Sequence, residues 1–332
     1  MTNEISRPRP RLIRVIPLAL AGAALLLAGS PAHADAWPSK PVRMVVSYPP
    51  GGTVDAVARI IAPRLSARLG QPVVIDNRGG AGGAIGGDLV AKSAPDGYTV
   101  MLDASNHAQN PALRKMPFDT LRDLAPVSLL VRVPNVLVVN PSAPIKSVPD
   151  LIAQAKAKPG GINYASSGNG SAQHLAGELF ASMAGVQITH VAYKGGGPAL
   201  TDVMSGHVPV FFASLASSLP FIQGGKLRAL AVTGKARSPA LPQLPTVSEA
   251  GLPGYEVYEW NAVFVPAGTP APVVERLSKE VAATLREPEV RTRLEALGAE
   301  VIGSSPAELD SFRRAEIAKW TRLAKDNKIQ VD

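Results

Sequence analysis

From Val42 onward, short apolar runs rich in β-branched residues alternate with longer stretches of helical periodicity, and this alternation limits the fold more than any other feature. "VRMVVS" precedes a helix expected over 54–69, and "VVID" precedes one over 83–92. "YTVMLD" and "APVSLLV" follow as separate strands. "PNVLVVNP" leads to a helix over 148–158, "INYAS" to "AQHLAGELFASMAG", "ITHVAY" to "GPALTDVMSG", and "VPVFFA" to "SSLPFIQGG"; "LRALAVT" closes the series. Such a pattern specifies an α/β protein with largely parallel sheets. Ligands of such sheets sit at the C-terminal ends of the strands.

The last third reads differently. "APVVERLSKEVAATLREPEVRTRLEALG" and "SPAELDSFRRAEIAKWTRLAKD" are amphipathic helices, the second with Ser305 as N-cap and Glu308 three residues on. These helices are expected to return to a first lobe. The chain then crosses between lobes twice, near "VPNVLVVNP" and near "EWNAVFVPAG", and two strand-like crossings suit a hinge. The organisation is residues 35–138 with 262–332 as lobe one and 139–261 as lobe two.

Residues 1–34 are set aside from this fold. Basic "RPRPRLIR", apolar "VIPLALAGAALLLAG" and "AHA" have the three-part form of a secretory signal peptide, with cleavage expected after Ala34. The apolar run is short for a bilayer span, which needs roughly 20 residues. The formal net charge of +8 becomes +5 once this segment is removed, and the surplus is dispersed. No basic run is interleaved with aromatics, so nucleic acid is not an expected partner. A mild positive field suits an anionic small ligand, or serves solubility alone. The chain has no cysteine, so nothing in the fold depends on disulfides.

Most enzyme signatures fail. "GGAGGAIGG" places Ile85 where a dinucleotide loop needs its last glycine, and Leu227 and Ala236 follow the two Gly-Lys pairs where a P-loop needs Ser or Thr. His107, His174, His190 and His207 are not at metal-ligand spacing. "GNGSA" lacks the final glycine of a nucleophile elbow, so Ser171 and His174 do not form one. No cofactor, metal or catalysed reaction is expected.

What remains is a set of loops that donate backbone hydrogen bonds. In "SYPPGGTVD", Tyr48 and Pro50 lead to Gly51 and Gly52, Thr53 stands where an N-cap would, and Asp55 opens the helix. Free N–H groups and the positive end of the helix dipole attract an anion. No lysine is present for a polyphosphate, so a single carboxylate fits better; an ordinary capped helix after a tight turn is the plain alternative. "YASSGNGSAQH" repeats the chemistry with Ser166, Ser167, Gly168 and Ser171, followed by His174. "DASNHAQNP" offers Ser105, Asn106 and His107 as a cleft wall, and "YKGGGPA" offers Tyr193 and Lys194.

These segments closely resemble one family. "YPPGGTVDAVAR", "QPVVIDNRGGAGGAIGG", "APDGYTV", "VPNVLVVNPS", "INYASSGNGSAQHLAGELF", "HVAYKGGGPALTD", "GKLRALAVT", "RSPALPQLPTVSEAGLPG" and "FVPAGTP" are similar to the Bug-type periplasmic receptors of tripartite tricarboxylate transporters, from about Trp37 to Ile329. The resemblance implies a two-lobed, type II-like periplasmic binding protein that closes over an organic anion. Its carboxylate would be held by Tyr48 to Thr53 and Ser166 to Ser171. The loaded receptor would deliver ligand to membrane subunits; a sensory role feeding a membrane kinase is the alternative. The pattern is broken where many members carry Phe-Asp, because Ala213 stands at the aspartate position, followed by Ser214. The third loop has Asp103-Ala104-Ser105 in place of Gly-Thr-Ser. Loss of a carboxylate at 213 leads to the expectation that ligands without an α-amino group bind better, with Phe212 and Tyr48 as walls, unless water or Ser214 replaces the acceptor.

Overall fold

The computed structural model describes residues 37–329, together with residues 1–2. The signal-peptide cleavage site expected after Ala34 lies outside the described residues. Strands β1 (Val42–Val46), β2 (Val73–Asn77) and β3 (Thr99–Ala104) pair in parallel with β1 in the middle. The run of buried valine, methionine and leucine in β1 and β3 is what a strand covered on both faces requires, while β2, at the edge, leaves Val74 exposed. Helix α1 (Thr53–Leu69) joins β1 to β2 and stops at Gly70, whose left-handed φ of 71° lets its N–H return to Ser66 O. Helices α2 (Ala84–Ala91) and α3 (Asn106–Leu113) follow β2 and β3.

β4 (Leu124–Val139) is one strand of 16 residues. "APVSLLV" and "PNVLVVNP" are expected as separate runs, each containing a proline, Pro126 and Pro134. The structure runs through both. Pro126 lies beside an irregularity in the pairing, and Pro134 lies where the strand changes partners, positions at which a missing N–H costs little.

The second half begins with α4 (Val148–Ala157). It continues through β5 (Asn163–Ser166), α5 (Ala172–Ala184), β6 (Thr189–Ala192), α6 (Gly196–Met204), β7 (Val210–Ser214), α7 (Leu215–Gln223) and β8 (Arg228–Val232). β5 pairs in parallel with β6 and β7. β9 (Tyr258–Pro266) then returns, antiparallel, between β3 and β4. The sheets are therefore mixed rather than largely parallel.

The architecture is α/β and two-lobed, with β4 and β9 as the two crossings. β4 pairs with β9 over Leu124–Pro134, and with β7 and β8 over Asn135–Val139. β4 exchanges partners at Pro134/Asn135, and β9 starts after Val257. Buried Thr233 joins the crossings: its hydroxyl accepts from Asn135 N at 2.8 Å, and lies 3.1 Å from Asn135 O and 2.7 Å from Val257 O.

The C-terminal helices are α8 (Ala271–Arg286), α9 (Pro288–Glu295) and α10 (Pro306–Asp326), with the short β10 (Glu300–Val301) pairing with β4 between the last two. The stretch expected as one helix is broken at Glu287, whose ψ of 128° is what a residue before proline prefers. α8 and α9 pack on α1, and α10 packs on α3 and β4. Ser305 and Glu308 form the expected capping box. Buried Arg313 donates to Thr120 O and Leu124 O, fastening α10 to the entry of β4.

Candidate functional site

Four helices begin at one cavity of about 440 Å³. α1 and α3 follow β1 and β3 in the first lobe; α5 and α6 follow β5 and β6 in the second. Tyr48, Gly52, Thr53, Ser105 and Asn106 line the cavity from one side, and Ser167, Gly168, Ser171 and Gly195 from the other. Asn106 links the sides: its Nδ2 donates to Gly170 O at 2.9 Å. Tyr48 Oη donates to Asn106 Oδ1 at 2.8 Å. Burial, with Asp103 and Glu259 nearby, raises the Tyr48 pKa and keeps the phenol protonated.

The first loop differs from its expectation in one respect. The N-cap of α1 is Gly52, not Thr53, and no side chain caps the helix. Asp55 turns back instead, accepting from Gly51 N at 2.9 Å and from Asn77 Nδ2 at 3.0 Å. The Arg59 guanidinium holds its carboxyl at about 2, against the cost of burial. The opening N–H groups of α1 are thus left without a side-chain acceptor, on a helix whose dipole favours an anion.

The second loop is built on neutral groups. Ser171 caps α5 by accepting from His174 N at 3.2 Å. Nδ1 of His174 accepts from Gly170 N at 3.1 Å. The His174 ring stacks on His190 at 3.9 Å. Ser166 Oγ lies 2.6 Å from His190 Nε2 and accepts from Gly168 N at 3.0 Å. Burial pushes the two imidazoles down to about 3 for His174, where His190 adds repulsion, and about 4 for His190. Both are uncharged at neutral pH.

The remaining sequence-selected residues stand behind or beside the cavity. Pro50 and Gly51 form the exposed crest of the first loop; Asp55, Ser166 and His174 support the loops from beneath. Tyr193 is bonded to Asp202 at 2.6 Å. Ala213 is fully buried among Val136, Ala165 and Leu200 in the second-lobe core, and Phe212 packs on the opposite side of the strand with Tyr164 and Phe180. Asp103 is a buried post, 2.5 Å from Ser47 Oγ and 3.1 Å from His107 Nδ1, and His107 stacks on Phe264.

Sequence reasoning missed Gly82, Gln173, Glu259 and Asn261, all of which line the cavity. The glycines of "GGAGGAIGG" serve close packing: a Cβ on Gly86 would lie 2.9 Å from Ser47 Cα, while Gly82 O accepts from Asn110 and Tyr48. Glu259 and Asn261 stand two apart on β9, within "YEWNAVFVP", and that period-two polar pair in an apolar strand was the available signal. Glu259 Oε1 accepts from Gln173 Nε2. Its pKa is raised by burial and held back by Gln173 and by the Ser214 hydroxyl, which lies close by outside hydrogen-bonding geometry. Among the described residues, no group of side chains is arranged to hold a metal, and no helix is long and apolar enough to cross a membrane.

Residues 57–329 match the family described as the tripartite tricarboxylate transporter family receptor. Among solved structures, R. palustris Rpa4515 with adipate is 44% identical, with a TM-score of 0.80 over 89% of this chain and 99% of that one. The periplasmic binding protein BugD is 35% identical, with a TM-score of 0.77 over 89% of this chain and 99% of that one. MatC from Rhodopseudomonas palustris with bound malate is 33% identical, with a TM-score of 0.76 over 86% of this chain and 99% of that one. A match of this extent, on a two-lobed fold with its cavity between four helix starts, makes the chain a member of the tripartite tricarboxylate transporter receptor family, whose structural relatives are solute-binding proteins.

Proposed function

We propose that the protein is a periplasmic receptor that captures a small organic carboxylate, catalyses no reaction, and presents the ligand to the membrane subunits of a tripartite tricarboxylate transporter. The observation that carries the reading is the convergence of α1, α3, α5 and α6 on one cavity, each by its N-terminal end. Oriented backbone N–H groups and helix dipoles suit a carboxylate without lysine or arginine, and none lines the cavity among the described residues. Two relatives were solved with carboxylates, adipate and malate. The basic and apolar segment before Ala34 supports export. We place the hinge at Pro134–Asn135, where β4 changes partners, and at Val257–Tyr258, where β9 begins, and the role in ligand contact falls to Tyr48, Gly52, Thr53, Ser105, Asn106, Ser167, Gly168 and Ser171.

The test is a thermal-shift screen of protein starting at Asp35 against mono-, di- and tricarboxylates and aromatic acids. A ligand present at a hundred times its Kd stabilises by about 2.7 kcal/mol. At least one acid should raise the melting temperature, with binding confirmed by calorimetry. Shifts from neutral sugars or amines and from no acid would overturn the reading.

A further inference from the structure

The cavity brings together two opposite chemistries. The helix starts supply donors. β9 adds acceptors beside them, with Asn261 opposite Ala104 just before α3 and Glu259 bonded to Gln173 in the first turn of α5. Glu259 is the sole carboxylate among the described lining residues. Asn261 is 2% exposed and lines the same cavity; its Nδ2 donates to Trp260 O at 3.0 Å, which leaves Oδ1 without a partner. Glu259 Oε2 is likewise buried without a hydrogen-bond partner, the Ser214 hydroxyl nearby lying outside hydrogen-bonding geometry. The registers explain the clustering: Glu259 pairs with Val133 and Ser214 with Asn135, so both stand at the point where β4 changes partners. A buried acceptor left unmatched is costly, so such a set is informative about what completes it.

We infer that Glu259, with Asn261 beside it, reads a hydrogen-bond donor on the ligand, so that the preferred ligand is a carboxylate carrying a hydroxyl or ammonium group and not a second ionised carboxylate. This deepens the carboxylate-receptor reading and rests on it. A carboxylate at the helix starts satisfies the donors. A hydroxyl or ammonium beside Glu259 meets the acceptors. A second carboxylate there would face Glu259 as a like charge and leave Asn261 Oδ1 unmatched, and like charges brought together in a cavity are strongly disfavoured. The acceptor absent at Ala213 is thus supplied from the crossing strand, which reverses the preference expected from position 213 alone.

The experiment compares matched acids by calorimetry on the signal-free protein at pH 7.5. One series is 4-hydroxybutyrate, 4-aminobutyrate and succinate; a second is 5-hydroxypentanoate, 5-aminopentanoate and glutarate; a third is 6-hydroxyhexanoate, 6-aminohexanoate and adipate. In the series that binds best, the hydroxy or amino acid should bind at least about tenfold more tightly than the dicarboxylate. Which of the two wins tells hydroxyl from ammonium. Glu259→Gln, which can donate as well as accept, should weaken the amino acid about tenfold or more and tighten the dicarboxylate. Tighter dicarboxylate binding in the wild type overturns the inference and leaves the carboxylate reading standing. So does an equal loss for every acid in Glu259→Gln, which marks a purely structural residue. If that variant does not fold, the wild-type series decides alone. No binding by any acid in these series or in the wider screen removes the carboxylate reading and the inference together.

Discussion

The two glycine loops look alike in sequence and are supported in opposite ways. "PPGGTVD" rests on charge: Asp55, ionised down to about 2, ties Gly51 and Asn77 together and is held by Arg59. "SSGNGSAQH" rests on neutral groups: two stacked imidazoles, a serine and a serine cap. They also differ in conformation. Gly52 is extended, with φ of −85°, and an added Cβ there meets nothing closer than Pro49 O at 4.0 Å. Gly168 has φ of 129°, and a Cβ there would lie 3.1 Å from Tyr193 O. The backbone does not require glycine at Gly52, whereas it does at Gly168, as at Gly51 with its φ of 90°.

The largest expected effect follows from that contrast. Gly168→Val forces a β-branched residue into left-handed backbone and should cost about 3 kcal/mol of stability by urea unfolding. Gly52→Val, a poorer N-cap in an ordinary backbone conformation, should cost only about 1 kcal/mol. It should nevertheless weaken binding of the identified acid at least about tenfold by calorimetry, since lost charge-assisted bonds are worth roughly 1.5–3 kcal/mol each. Equal unfolding midpoints for the two variants would erase the distinction.

Acid separates the supports more finely. The folded-state pKa of Asp55 is depressed from 3.8 to about 2, so its stabilisation is complete above pH 4 and is lost as pH falls toward 2. His174 and His190 titrate near 3 and near 4 in the folded protein, whereas the unfolded chain takes up protons below about 6.5. Stability should therefore fall as pH drops from 6.5 toward 4, before Asp55 contributes anything. Asp55→Asn should cost about 1–2 kcal/mol at pH 7, an amount reduced because Arg59 is largely exposed. His190→Gln should recover about 1 kcal/mol at pH 5 relative to wild type, flattening the upper limb alone. A wild-type stability that is level between pH 6.5 and 4.5 would contradict the neutral-imidazole account.

Much of this architecture was legible in the sequence, for physical reasons. Helix starts and stops carry local signals, so α1, α4 and the Ser305 capping box appear where periodicity and capping residues place them. Strand partners carry none. Nothing local in "LAPVSLLVRVPNVLVV" says that its first part pairs with β9 and its last five residues with β7 and β8. The same limit hid the β9 side of the cavity. Gly52, Thr53, Ser167, Gly168 and Ser171 belong to loops with a recognisable turn chemistry. Glu259 and Asn261 are ordinary strand residues, placed at the site by a long-range pairing.

The smallest expected effect is the sharpest test of what the first loop is for. Ser171→Ala removes a side-chain cap from α5 and should cost about 1 kcal/mol. α1 has the mirror situation: its N-cap is a glycine in a backbone conformation that any residue adopts. Gly52→Ser should therefore raise stability, by only a few tenths of a kcal/mol, because serine is a slightly better cap than glycine. Its hydroxyl would accept from Val54 N or Asp55 N, the donors left for an anion. The same substitution should then weaken the acid that the wild type binds. Stability and affinity would move in opposite directions from one added hydroxyl, which generic damage to the loop cannot produce. If Gly52→Ser stabilises the fold and leaves affinity unchanged, the N–H groups of α1 do not hold the ligand, and the grip passes to the second loop.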